Sequence, residues 1–308
     1  MQSTGDVNLD IDAFIATRAE DGNISSKSHI VTVFGDVISQ HGGSVWLGSL
    51  IDALEPLGFS ERLIRTSVFR LVKEDWLQAS KKGRKSYYGF TDSANKHYTK
   101  AARRIYAPST QHSDGDWLIV LPTFVPESQL ISFKRQLRWL GFSTLASGAF
   151  AHPSIERSSL DETIKEMHLS DAVIIFESRT FDSDSNSVLK KLVEEKWNIS
   201  ELRINYQEFI DCYRPLLAAM TQGHKISDQQ AFLIRTLVIH EYRRILLKDH
   251  ELPENMLPEK WPGYVATQLV KKLYANLAKS SCRYIISKMQ NIDGFLPKAS
   301  NNFKQRFK

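Results

Sequence analysis

Residues 60–77 read SERLIRTSVFRLVKEDWL, and few structures other than a two-faced helix suit them. At about 100° per residue, Ile64, Val68, Leu71 and Val72 fall on one side. Arg62, Thr66, Phe69, Arg70 and Lys73 fall on the other, with Arg65 at one flank. Ser60 stands where its hydroxyl can accept a bond from an otherwise orphan backbone N–H and so start the helix. The apolar stripe demands a covering domain, whereas the basic stripe is left outside it. That stripe has two readings, a solvated surface or a face for a polyanion, and the helix by itself leaves both open.

The surroundings favour the polyanion. From His29 to Tyr106 there are twelve Lys/Arg against seven Asp/Glu, an excess equal to the whole chain's net charge of +5. A basic surface confined to one segment points to an anionic partner more directly than an overall pI does. HIVTVFGDVISQHG has apolar residues at three- and four-residue spacing and VWLGSLIDALEPLG a short second helical run, both preceding the two-faced helix. After it, Trp76 to Ala79 and Ser86 to Phe90 are strand-like runs joined by SKKGRK, whose Gly83 suits a tight turn. Three helices and a two-stranded ribbon are the element order of a winged helix-turn-helix, expected over residues 29–108. A helix can enter a major groove, where arginine pairs with guanine or phosphate. Lys81, Lys82, Arg84 and Lys85 at the ribbon turn, with Tyr87 beside them, are placed to meet phosphates.

The 28 residues before this segment carry five acids and two bases and end in the turn-rich DGNISSKS; they read as an acidic, partly flexible arm. Beyond APSTQHSDGD, a linker by composition, the apolar run WLIVLPT, a helical SQLISFKRQLRWLGF, the hairpin-like TLASGAFAHPS, a capped SSLDETIKEMHL and the run DAVIIFES follow in turn. That order predicts a ferredoxin-like α/β sandwich over 114–182. Residues 183–308 are dominated by helical runs and predict a helical C-terminal domain serving dimerisation or effector response, with a frayed tail after Asp293. The fold class expected is therefore α+β and multidomain, in keeping with 308 residues.

Chemistry finds little footing. GRKS lacks the leading glycine of a phosphate loop, with Gln78 in its place. HEYRR at His240 has Arg244 where a zinc protease helix has its second histidine, and GFSTL lacks the last glycine of a nucleophile elbow. The two cysteines, Cys212 and Cys282, have no metal-type spacing and read as reduced thiols. No catalytic or metal-ligating set is expected, and no membrane partner, since no apolar run approaches the roughly 20 residues that span a bilayer.

VTVFGD, VWLGSLI, ERLIRTSVFRLVKEDWL, GRKSYYGFT and AARRIY, followed far downstream by IHEYRRILLKDHELPENMLPEKWPG, resemble the PaaX family of transcriptional repressors of phenylacetate catabolism. The resemblance runs from about His29 to Tyr274. It implies a cytoplasmic, homodimeric, non-enzymatic repressor that binds double-stranded operator DNA and lets go when an aryl-CoA thioester, typically phenylacetyl-CoA, binds. It also implies DNA reading by Arg62, Arg65, Thr66, Arg70 and Lys73, and a central domain similar to small CRISPR-associated nucleases. Such nucleases hold a metal with an aspartate at the end of their first strand; here Asp114 and Asp116 precede the strand, so a spacer or dimerisation role is expected. A metal-dependent nucleic-acid-processing enzyme is the alternative. For a CoA thioester, which needs cations beside aromatic lining, His240, Tyr242, Arg243, Arg244 and Trp261 are the densest group outside the basic segment.

Overall fold

The structure is a computed structural model that describes residues 10–20, 24–106, 117–153, 157–249, 252 and 254–307. It divides into two compact units. One comprises residues 1–109, 208–244 and 264–308, the other 110–207 and 245–263.

The first unit opens with α1 (Ile11–Glu20) and α2 (Ser26–Asp36). The expectation of a partly flexible arm fails over Ile11–Glu20. Ile11 and Ile15, one turn apart, are buried, the Phe14 ring meets Tyr213 edge-on, and Arg18 binds Glu241 at 2.8 Å. The acidic composition had masked this short apolar stripe. Next come β1 (Ser44–Trp46), α3 (Leu47–Leu54) and α4 (Glu61–Lys73). Ser60 caps α4, its hydroxyl accepting from the Leu63 N–H at 3.3 Å, and Ile64, Ser67, Val68 and Leu71 are its buried side. β2 (Leu77–Lys82) and β3 (Lys85–Phe90) form the ribbon, with Gly83 at φ +62° in its turn. Only glycine adopts that backbone freely, which fixes the two-residue connection.

The ribbon is three-stranded, because β1 pairs antiparallel with β3, Val45 facing Tyr88. A three-residue strand is too short to show alternation in the sequence. Gly89 permits this pairing: a Cβ there would lie 2.7 Å from the Gly43 carbonyl oxygen. α5 (Asp92–Tyr106) follows the ribbon.

The second unit begins with β4 (Trp117–Leu121), α6 (Glu127–Trp139), β5 (Ser143–Ala146), β6 (Ala149–Pro153), α7 (Arg157–Glu166) and β7 (Ile174–Ser178). Its antiparallel sheet has the order β5-β6-β4-β7, the ferredoxin-like arrangement. Leu118 and Val120 of β4, Phe150 of β6, Phe133 and Leu137 of α6, and Leu160 and Ile164 of α7 form its core. α8 (Ser183–Lys196) and the start of α9 (Ile199–Thr221) belong to the same unit, where Trp117 and Trp197 meet edge to face.

Later turns of α9, most of α10 (Asp228–Leu246) and α11 (Pro262–Lys288) belong to the first unit. So do β8 (Gln290–Asn291), β9 (Gly294–Phe295) and the tail. The chain thus differs from a separate helical domain over 183–308, and the tail is not frayed over its described residues. Leu296 and Phe307 are buried, and the Phe307 N–H donates to the Tyr106 carbonyl. None of the described helices is long and apolar enough to cross a membrane.

A buried ionic cluster causes that regrouping. Asp36, at the end of α2, and Arg235 of α10 are fully buried, with 2.9 Å between Oδ2 and Nη2. Arg306 donates from Nη1 to Asp36 Oδ1 at 2.8 Å and to the Asp36 carbonyl at 2.7 Å. Tyr106 and Tyr274 donate their hydroxyls to the same Oδ1 at 2.7 and 3.0 Å. Burial, reinforced by the Asp36 charge, pushes the Tyr106 hydroxyl well above its ordinary value, so it stays a donor. Five segments converge on one carboxylate.

Asp36→Ala leaves two guanidiniums buried without their counter-ion and should cost about 3–5 kcal/mol. Urea unfolding followed by circular dichroism measures this, and a loss under 1 kcal/mol would show that the cluster is not a keystone.

Candidate nucleic-acid interface

The face of α4 turned away from its core carries Arg62, Arg65, Thr66, Arg70 and Lys73, all exposed. Two of these are held locally. Glu61 accepts from Arg65 Nε at 2.7 Å, and Thr66 donates its hydroxyl to the Arg62 carbonyl at 2.8 Å. An exposed pair of this kind is worth little in water, so Arg65 can exchange Glu61 for another anion at small cost. Lys73 sits 4.9 Å from the Phe69 ring centroid. Phe69 and Leu63 are 59% and 43% exposed on this same helix. The outward place of Phe69 was legible from the wheel; that of Leu63 was not.

The ribbon turn exposes Lys81, Lys82, Arg84 and Lys85, but not on equal terms. Lys85 Nζ lies 4.0 Å from the Trp46 ring centroid and 3.4 Å from Gln290 Oε1. Lys82 Nζ donates to the Ile292 carbonyl at 3.1 Å. The β8–β9 hairpin therefore sits against the ribbon and engages two of its lysines. The sequence held no sign of this, since more than 200 residues separate the partners. Tyr87 is a correction. Alternation along β3 turns its ring inward, leaving it 5% exposed, so it is a packing residue and not a surface phosphate ligand.

The group expected to hold an effector is largely internal. His240, Tyr242, Arg243 and Trp261 are buried, and Arg244 is exposed. His240 Nδ1 is 3.0 Å from the Thr32 hydroxyl, and its ring meets that of His29 at 5.0 Å. Tyr242 bonds Thr267, and Arg243 donates to Ser28. Trp261 lies edge-on to Tyr206 in the second unit. His240, Tyr242, Arg243 and Arg244 are close in sequence because α10 carries them, whereas Trp261 stands apart, just before α11. Asp114 and Asp116 lie outside the described residues.

Three protein-family models match the chain: PaaX-like protein over residues 25–94, PaaX protein central Cas2-like domain over 110–189, and PaaX-like protein C-terminal domain over 197–287. The chain is 37% identical over 298 residues to the transcriptional repressor PaaX of Escherichia coli (strain K12), covering 96% of this chain and 94% of that protein. The chain belongs to the PaaX family. Its fold is also similar to that of the uncharacterized protein Rv0674 from Mycobacterium tuberculosis, at a TM-score of 0.49 and 18% identity, covering 80% of this chain and 94% of that one.

The first PaaX-family segment spans α2 to β3, and with them the whole basic face. The third spans α9 to α11, hence His240 and Arg235. Residues of both segments meet at His29, which is fully buried with neither ring nitrogen hydrogen-bonded. Burial, with the Arg243 charge nearby, lowers the His29 pKa to about 3. An unfolded histidine titrates near 6.5. Between those values the unfolded chain binds the proton and the folded chain does not, so His29 subtracts stability as pH falls. From pH 7 to 5 its contribution falls by about 2 kcal/mol. In His29→Leu, the unfolding free energies obtained from urea titrations at the two pH values should lie closer together by that amount.

Proposed function

We propose that the chain is a DNA-binding transcriptional repressor, with a winged helix-turn-helix formed by α3, α4 and the β2–β3 ribbon. The observation that carries this reading is the exposed face of α4, where Arg62, Arg65, Thr66, Arg70 and Lys73 stand clear of the core in a module that also exposes a basic ribbon turn. α4 lies in the major groove of a double-stranded operator, and the turn is a wing on the phosphates. Leu63 and Phe69 add apolar surface suited to thymine methyl groups. The relative from Escherichia coli is named a repressor, which supports the same role here. A homodimer presents two copies of α4 to successive major grooves, about 34 Å apart on the duplex.

The family resemblance supports an aromatic-acid catabolic operon of the phenylacetate type as the target. It supports an aryl-CoA such as phenylacetyl-CoA as the releasing effector. The effector acts by binding the DNA-free arrangement more tightly than the DNA-bound one.

Arg70→Ala should weaken binding to the chain's own upstream region by about 1–3 kcal/mol and flatten sequence preference, if Arg70 reads a base. Lys81→Ala should instead weaken all duplexes alike and lower the salt slope by about one. Lys85→Ala should change the slope less, because Trp46 and Gln290 hold that lysine. Fluorescence anisotropy across a salt series separates the three. Affinity and preference unchanged in both Arg65→Ala and Arg70→Ala would remove α4 from the groove. Metal-dependent cleavage of labelled DNA or RNA, lost on changing Asp116, would favour a nucleic-acid-processing enzyme.

A further inference from the structure

The Asp36 cluster is unbalanced: among the described residues, one buried carboxylate faces two guanidiniums. Both arginines keep unused donors: Arg235 Nε is buried without a partner, and Arg306 is the one that lines an open cleft. Arg306 Nη1 serves Asp36 and the Tyr274 hydroxyl, and its Nη2 donates one bond, to the Gly35 carbonyl at 3.2 Å. A guanidinium has five N–H donors, so the Nε–H and the second Nη2 hydrogen have no acceptor among the described residues. The side chain is 7% exposed, and its guanidinium rests 3.9 Å from the Tyr106 ring centroid. A cation desolvated to this degree, with spare donors, calls for a second anion.

An open cleft of ≈ 490 Å³ reaches Arg306. Asn95, Thr99 and Arg103 of α5 form one wall, and Asn302 and Gln305 of the tail another. None of its lining residues is acidic. Arg103 is exposed at its edge with no acid to pair with among the described residues. Cations at depth and rim, amide groups between them and no competing carboxylate are the composition of an oxyanion site.

We infer that the cleft between α5 and the C-terminal tail binds the oxyanion, phosphate or carboxylate, of a small effector, held by Arg306 and Arg103, and that its occupancy changes DNA affinity. The regulatory half rests on the DNA-binding reading; the binding half does not. The route to the interface is short. Arg306 holds the carbonyls of Gly35 and Asp36 at the end of α2, and α2 packs on α4, where the Ser26 and Ser67 hydroxyls are 2.7 Å apart. An anion on the spare donors of Arg306 pulls on the same guanidinium that holds those carbonyls.

The test uses the full chain with inorganic phosphate, acetate or coenzyme A, each against chloride at matched ionic strength. Binding is read by calorimetry and by melting temperature. Arg103→Glu reverses the rim charge at an exposed position, so its own melting temperature without anion should match the parent's. The expected result is binding beyond the chloride control, weakened at least tenfold in Arg103→Glu. Response to phosphate and coenzyme A but not acetate assigns a phosphoryl group, and the reverse assigns a carboxylate. No binding beyond chloride, or equal binding in the parent and Arg103→Glu, overturns the site. If an anion binds and parent and Arg103→Glu show the same anion dependence of affinity for upstream DNA, the regulatory half is overturned. If neither protein binds DNA, the repressor reading fails while calorimetry still decides the site.

Discussion

Asp36 is the constraint on which the first unit depends. A lone carboxylate buried without partners would be protonated or would hold the fold open. Here its two oxygens and its own backbone carbonyl are engaged by Arg235, Arg306, Tyr106 and Tyr274. Each partner arrives on a different segment, so the carboxylate specifies which segments assemble. An apolar core would tolerate some sliding of α10 against α2, because hydrophobic contact has no direction. Hydrogen bonds at 2.7 to 3.0 Å do not tolerate it. The cluster gives register where hydrophobic burial gives cohesion, and it ties the end of the chain to the helix that supports α4.

This also explains which features could be read in advance. α4 was legible because its caps, period and charge asymmetry are all local, and residues 60–77 contain every signal needed. The ferredoxin-like sheet was legible for a related reason: its strands follow in an order that permits few arrangements. The grouping of α10, α11 and the tail with α2 was not, since Asp36 and its arginine partners lie 199 and 270 residues apart. No periodicity links such positions, and a charged residue in a helical run reads by default as a surface residue. The same default made HEYRR resemble a binding group, when three of its residues, His240, Tyr242 and Arg243, are buried. Tyr87 was misplaced for a smaller reason. The basic residues cluster at the ribbon's turn, whereas Tyr87 stands further along β3, where that face of the strand is buried.

The basic surface is less uniform than its composition suggests. On α4, Arg62 and Arg70 stand on the exposed face, while Arg65 is held by Glu61 and Thr66 by the helix backbone. On the ribbon, Lys82 and Lys85 lean on the β8–β9 hairpin and Trp46. A lysine with an intramolecular partner loses less entropy when it meets a phosphate, but must give up some of that partner's contact. Such contacts fix the ribbon's position. Arg84 and Lys81, on either side of Gly83, are exposed without such a partner among the described residues.

Two elements that the sequence presented as appendages thereby acquire a common role. The tail supplies Arg306 to the Asp36 cluster, and the hairpin before it supplies carbonyl and amide partners to the ribbon. α11 leads directly into both. Anything that shifts the end of α11 or the tail acts at once on α2, which backs α4, and on the lysines of the ribbon. Residues 29–106 alone would hold the helix and the ribbon but neither restraint. The C-terminal residues therefore complete the basic face structurally while contributing few charges to it.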